Sequence, residues 1–444
     1  MKSRTLTKFA KYVSLGILGM LGLSFYILAD TFFIANRLGP DGLAALNLAI
    51  PIYSFISGLG LMLGIGGATK YAILTARQEG EKANNYFNNT LFMGFLISVV
   101  LIFIGIFGST NLSRLLGADK STFQMTNIYL KTILLFTPAY ILNNIMLAFV
   151  RNDGAPRLSM LAMLTGSFSN IILDYIFMYP LNMGMFGAAF ATGLAPIISL
   201  AVLSSHFRKK RNRFYISKFR PEINVFSAIC SLGMSSLITE LSSGIVLIIF
   251  NLLILNLTGN LGVAAYGIVA NLALVATAVF VGIGQGIQPL ASHDFGKGRL
   301  EELKKTLHYA IMLSLLIAAF FNLISFIFTD KLVSFFNSED NITLARLAGK
   351  GLRLYFIGFI FAGLNIVITA YLSAIQRARN AFFISISRGF IAIIPLALIL
   401  SFLFAMEGVW LSFPAAEVTT AMLSAYYLIQ LDRREVRVTG EVFN

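Results

Sequence analysis

Apolar residues fall along this chain in long runs, each broken by a short polar or glycine-containing stretch. Runs of about 20 apolar residues are long enough to cross a bilayer as helices. Twelve such runs are predicted, at 12–35, 43–72, 88–113, 125–150, 157–179, 184–206, 223–256, 261–291, 305–329, 346–374, 380–404 and 408–430. Several exceed the bare spanning length and are expected to tilt or project. Pro51, Pro138, Pro196, Pro289, Pro395 and Pro414 stand inside the runs, where bends are expected. The first run is too long, and too soon followed by others, to be read as a cleavable signal.

The pattern repeats. Leu43-Ala44-Ala45-Leu46 aligns with Val263-Ala264-Ala265-Tyr266, and at the same offset Gly64 and Gly66 fall on Gly284 and Gly286. Gly187-Ala188-Ala189 in the sixth run matches Gly408-Val409-Trp410 in the twelfth. Two six-span halves of the same orientation form a parallel repeat about an axis along the membrane normal. The expected organisation is an amino-terminal lobe at 1–206, a basic linker at 207–222 and a carboxy-terminal lobe at 223–444. The glycine run from Gly58 to Gly67 lies inside a span and lacks Gly-Lys-Ser/Thr, so it reads as close helix packing rather than a nucleotide loop.

Composition agrees: of 444 residues, 57% are hydrophobic and 12% charged, against about 25% charged in soluble domains, and the mean hydropathy is +0.79. The formal charge of +14 would suit nucleic acid, but the cations sit in loops beside spans. Lys2, Arg4, Lys8, Lys11, Arg77, Lys82, Arg151, Arg157, Lys297, Arg299, Lys304, Lys305, Arg377, Arg379, Arg433, Arg434 and Arg437 fall on one side. So do seven Lys and Arg residues of the linker. About 24 basic residues on that side against about 8 on the other place both termini in the cytoplasm. No nucleic-acid partner is expected. The lone Cys230 excludes an internal disulfide, His206, His293 and His308 do not cluster, and no metal-ligand spacing or nucleophile–base set marks an enzyme.

The candidate chemistry lies in acids within the spans. A carboxylate there costs roughly 2.5–3.5 kcal/mol on insertion scales and marks a functional site by default. Asp30 and Asp174 each lie about five residues, or about 8 Å, inside the outer ends of the first and fifth spans. Thr192 in the sixth span lies at a similar depth. Tyr26 is one turn before Asp30 and Asn170 one turn before Asp174. Two carboxylates, an amide, a hydroxyl and a phenol in one layer suit a proton or a small hard cation such as Na⁺, because two neighbouring acids in low dielectric cannot both stay charged cheaply. The competing expectation is that Asp30 hydrogen-bonds Tyr26 or a serine and only stabilises packing. At the repeat offset Asp30 meets Phe250 and Thr192 meets Phe413, so the second half lacks this cluster, as a cation site allows and a shared packing need does not. Glu240, midway along the seventh span, and Glu417, in the twelfth, are expected to face a substrate cavity and attract cationic, amphiphilic compounds.

Asp30-Thr31-Phe32-Phe33-Ile34-Ala35-Asn36-Arg37-Leu38-Gly39, Arg151-Asn152-Asp153-Gly154-Ala155-Pro156, Asn170–Phe177, Gly187–Thr192 and Gly284-Gln285-Gly286-Ile287-Gln288-Pro289-Leu290 together resemble the multidrug and toxic compound extrusion (MATE) family. The resemblance covers about 420 residues, from the first span to the twelfth. It implies an all-α membrane protein of twelve transmembrane helices, in two pseudo-symmetric six-helix bundles forming a V-shaped central cavity. It further implies export of drugs by alternating access against inward H⁺ or Na⁺, with no other cofactor, by a monomer in the cytoplasmic (inner) membrane. Tyr26, Asp30, Asn170, Asp174 and Thr192 fill the cation-site pattern of the DinF-type branch, with Na⁺, if used, at Asp30 and Asp174. Glu240 resembles the seventh-span glutamate of other branches, and the segment around Glu417 resembles MepA-like exporters. The tenth-span aspartate of the NorM-type branch is absent, only Asn365 standing near. The alternative is a flippase for lipid-linked oligosaccharide or peptidoglycan precursors, which would need several cations in its cavity to grip pyrophosphate. Within spans the candidates are Lys70, Arg388 and Arg353. A channel or receptor, the other alternative, would need no coupled acids.

Overall fold

The computed structural model describes the backbone of residues 2–337 and 341–441, with side chains over 5–337 and 341–431. The side chains of Lys2, Arg4, Arg433, Arg434 and Arg437, counted above in the charge asymmetry, lie outside the described residues. The described chain is helical and contains no strand.

Seven stretches are long and apolar enough to cross a membrane, and two further pairs, each broken by a sharp bend, qualify as single spans. Three of the seven are double. The helix Lys2–Ala76 is interrupted at Gly39 (φ 66°, ψ −159°), giving α1 (2–38) and α2 (40–76). Ile223–Gly296 is interrupted in the same way at Gly259 (φ 67°, ψ −159°), giving α7 (223–258) and α8 (260–296). Ala405 (φ 50°) separates α11 (378–404) from α12 (406–441). The others are α3 (Gly80–Leu115), α5 (Pro156–Met178), α6 (Gly184–Arg208) and α9 (Leu300–Ile327). Then come the bent pairs α4 (Phe123–Leu135 with Thr137–Asn152, 51°) and α10 (Ile342–Ile357 with Phe359–Ala374, 43°). The result is the twelve expected spans.

The breaks follow glycines and turns more than prolines. Pro51, Pro196, Pro289 and Pro414 run through their helices without interruption, and only Pro138 stands at a sharp bend. In a bundle, neighbouring helices re-satisfy the backbone groups that a proline frees. Gly39 and Gly259 instead hold backbone angles essentially reserved for glycine.

The two bends are related by the repeat, with the chemistry exchanged. In the first lobe the Phe136 ring at the α4 bend fills the space beside Gly193 of α6. In the second, Gly358 at the α10 bend receives the Phe413 ring of α12. An aromatic wedge and a glycine socket have swapped helices, and the bend is kept.

The two large apolar cores lie one largely within α1–α6 and the other largely within α7–α12. The cores exchange the starts of α1 and α7. Phe9 and Val13 of α1 pack in the second core, and Val225 and Ile229 of α7 in the first. Glycines permit this crossing. A Cβ on Gly66 would lie 2.0 Å from the Ile229 carbonyl oxygen, and one on Gly286 would lie 2.6 Å from Val13 Cα.

Polar bonds between the lobes cluster at the same end. Arg151 Nη1 donates to Gln285 Oε1 (2.5 Å) and Asn152 Nδ2 to Gln288 Oε1 (2.9 Å). Gln288 Nε2 donates to Thr69 Oγ1 (2.9 Å), and Lys70 Nζ to Gln376 Oε1 (2.5 Å). The molecule is thus joined at the end that carries the basic loops.

The linker is docked rather than free. Asn84 and Asn88, one turn apart on α3, accept from the backbone N–H groups of Tyr215 and Ser217, and Asn89 from that of Glu222. Phe214 is fully buried against Phe87, Phe149 and Tyr71.

Candidate functional site

Three α-helices of the first lobe bring the predicted polar residues together. Asp30 (6% exposed), Asn170, Asp174 and Thr192 are all buried, and so is Tyr26. Asn170 and Asp174 share a face of α5, being four residues apart. Nδ2 of Asn170 donates to Asp174 Oδ2 (3.0 Å), and its oxygen accepts from Thr192 N (3.3 Å). The reverse amide orientation would set oxygen against carboxylate. Asp30 of α1 is near enough to Asp174 for their charges to interact. One oxygen of each aspartate, Oδ1, has no hydrogen-bond partner although buried. Among the described residues neither forms an ion pair.

Tyr26 does not satisfy Asp30 in the way the packing expectation supposed. Its hydroxyl bonds Tyr53 on α2 at 2.5 Å. Tyr53 in turn packs edge-on against Tyr140 (ring centroids 5.7 Å), whose hydroxyl donates to the Thr192 carbonyl (2.8 Å). Tyr129, also buried, faces both aspartates and Thr192. Sequence reading found one phenol of four. Tyrosines in apolar spans are ordinary, and only the packing of α2 and α4 against α1 shows that these three share the site.

A cavity lies between the lobes, lined from both sides. Glu240 lines it, as expected, and its Cβ sits against Gly58 of α2, where glycine leaves room. Thr239, Gln285 and Gln288 add polar groups. Arg151, counted above as a loop cation, is only 8% exposed and lines the cavity instead. The end of α4 is pulled in by its bond to Gln285, and charge counting along the chain cannot see this.

A model of the MatE family matches residues 17–176 and again 235–399. The chain belongs to this family. The double match falls on the two lobes. Among curated relatives, the Multidrug export protein MepA of Staphylococcus saprophyticus is 27% identical over 429 residues, covering 95% of this chain and 93% of that protein. MepA of Staphylococcus aureus is 26% identical over 420 residues, covering 93% and 91%. Of solved structures, one described as the outward-facing conformation of a multidrug resistance MATE family transporter of the MOP superfamily superposes with a TM-score of 0.88 at 22% identity, covering 95% of this chain and 94% of that one. A MATE complex with MaL6 gives 0.87 at 23% identity, with the same coverage.

In this MatE protein Glu417 stands apart from the cavity surface. It is 2% exposed, and Oε1 accepts from Arg388 Nε (2.5 Å) while Oε2 accepts from Asn365 Nδ2 (2.8 Å). Ser424 Oγ completes the set by donating to Asn365 Oδ1 (2.8 Å). The residue reaching the cavity from this group is Arg388. The second lobe therefore holds a buried acid whose counterion is built in, while the first lobe holds two acids without one. Of the other span cations, Arg353 Nε donates to Thr329 Oγ1 (3.1 Å), and Lys70 belongs to the inter-lobe contacts described above.

Proposed function

We propose that this protein is a secondary active multidrug efflux transporter and not an enzyme. It exports cationic or amphiphilic compounds through the central cavity in exchange for H⁺ or Na⁺ bound between Asp30 and Asp174. Similarity to the MepA multidrug export proteins, and to MATE transporters of known structure, supports the transport class. The observation that carries the coupling site is the contrast between the lobes. Buried Glu417 is neutralised by Arg388, whereas buried Asp30 and Asp174 each keep an unpartnered oxygen and, among the described residues, pair with no Lys, Arg or His. Buried carboxylates are paired or take up a cation, and a mobile cation supplies here what Arg388 supplies there.

In the proposed cycle a compound enters from the cytoplasmic side and favours the inward-open form. After the molecule opens outward, H⁺ or Na⁺ binds at Asp30 and Asp174. Asn170, bonded to Thr192, orients Asp174, and the mutually bonded hydroxyls of Tyr26 and Tyr53 lie beside the pair. Neutralisation shifts α1 and lowers affinity for the compound, which leaves. Exchange requires that ion and compound prefer different states.

The test is ethidium efflux from proteoliposomes under a pH gradient or a Na⁺ gradient imposed separately, on wild type and Asp30→Asn. Efflux driven by one gradient and lost in the variant names the ion and supports the site. Uphill export by Asp30→Asn would overturn the coupling scheme. Two guanidinium groups in the cavity, Arg151 and Arg388, favour the flippase as a second reading. Efflux driven by neither gradient, with flipping of a fluorescent polyprenyl pyrophosphate lipid, would establish it instead.

A further inference from the structure

We propose that Arg388 forms an oxyanion subsite in the cavity, so that this protein binds amphiphiles carrying a carboxylate as well as a protonated amine, the amine towards Glu240 and the carboxylate at Arg388. The inference rests on the reading of the cavity as the substrate site and names its substrate class more narrowly.

Three observations lead there. Arg388 lines the cavity and retains 17% side-chain exposure. Its bond to Glu417 uses Nε alone. A guanidinium has five N–H donors in a planar fork, so the two terminal nitrogens remain for a ligand, and paired N–H groups are the geometry that holds a carboxylate bidentately. Glu417, itself held by Asn365, fixes the near edge of the group, which leaves little orientational freedom to be lost on binding.

The backbone also aims Arg388. Residues Ser387–Ile391 form a π-helical turn within α11, a departure from α-geometry common at functional sites. Gly389 in that turn lies so close to α7 that a Cβ there would meet Ser242 Cβ at 2.5 Å. Ser242 follows Glu240 by two residues, so the contact that seats Arg388 lies beside the helix turn that carries the cavity's acid. The cavity thus has an acid, Glu240, on α7 and guanidinium groups on α11 and, tied to Gln285, on α4. A cavity built only for cations gains nothing from a guanidinium on its wall.

The experiment compares a rhodamine bearing a free carboxylate with its methyl ester, by fluorescence-polarisation binding to purified protein in detergent, with ethidium as the purely cationic control. Wild type is expected to bind the free acid about tenfold more tightly than the ester, the worth of one charge-assisted pair. Arg388→Gln combined with Glu417→Gln removes both charges without stranding either. It should abolish the preference by bringing the affinity for the acid down to that for the ester, and Arg388→Lys should keep part of the preference. Equal affinity of wild type for acid and ester overturns the proposal, whatever the variants do. So does a double variant that keeps the preference, or one that weakens all three dyes alike. Loss of ester and ethidium binding in wild type would instead count against the efflux reading itself.

Discussion

Asp30 and Glu417 are both carboxylates within apolar spans, and they meet opposite fates. Glu417 is held by Arg388 and Asn365. Removing one member of a buried pair leaves the other uncompensated, at about 3 kcal/mol or more. Glu417→Ala is therefore expected to lower the thermal unfolding temperature in detergent sharply, and the double Arg388→Gln/Glu417→Gln variant to recover most of the loss. A single variant as stable as wild type would show that the pair contributes nothing. Asp119, outside the membrane ahead of α4, shows the same chemistry in water. Hydrogen bonds from the Thr122 backbone and side chain, with those of Ser121, hold its carboxyl down at about 2. A depressed carboxyl lends its support above the ordinary value near 4, and loses it only as pH falls towards 2. Amide exchange at Ser121 and Thr122, corrected for intrinsic rates, should stay protected from pH 7 to pH 4. In Asp119→Ala that protection should be absent throughout.

Among elements, the informative feature is where helices stop. Gly39 and Gly259 have the same backbone angles, and a Cβ at either would meet nothing within 4 Å. The cost of Gly39→Ala or Gly259→Ala is then backbone strain alone, of order 1–3 kcal/mol. It should appear as a matching fall in unfolding temperature in both variants, with no change in dye affinity. Unequal losses would mean that the two turns differ in more than position. Here sequence reading was only partly successful. It placed most span ends closely because apolar runs are bounded by polar residues, but it missed where α1, α3 and α12 continue as helix beyond their apolar stretches. It assigned bends to prolines, which carry a local signature. Pro138 does stand at the α4 bend, but the other breaks fall at Gly39, Gly259 and Gly358, where the decisive partner is on another helix or is the turn itself.

For the whole molecule, the lobes meet where α1 and α7 cross and where Arg151, Asn152, Thr69 and Lys70 reach the second lobe. The proposed alternating-access cycle requires this end to part. With Lys70→Cys and Gln376→Cys in a Cys230→Ser background, a cleavable bis-methanethiosulfonate linker should stop dye export, and reductant should restore it. Undiminished export by the linked protein would show that these residues need not separate.

The division between what was legible and what was not has a physical basis. Membrane class, twelve spans, the repeat and the Asp30, Asn170, Asp174, Thr192 and Tyr26 set could be read from the chain, because each rests on a solvation cost. Apolar length, loop charge and an acid in a span are penalised or favoured whatever their neighbours. Tyr53, Tyr129 and Tyr140 beside the aspartates, Arg151 in the cavity, and Arg388 standing where Glu417 was expected depend on which helix faces which. Those choices turn on side-chain complementarity between segments far apart in sequence: Gly66 against Ile229, Gly389 against Ser242, Arg388 against Glu417. Solvation determined which residues had to be answered within this protein, and only the packing of the two lobes decided which partners answer them.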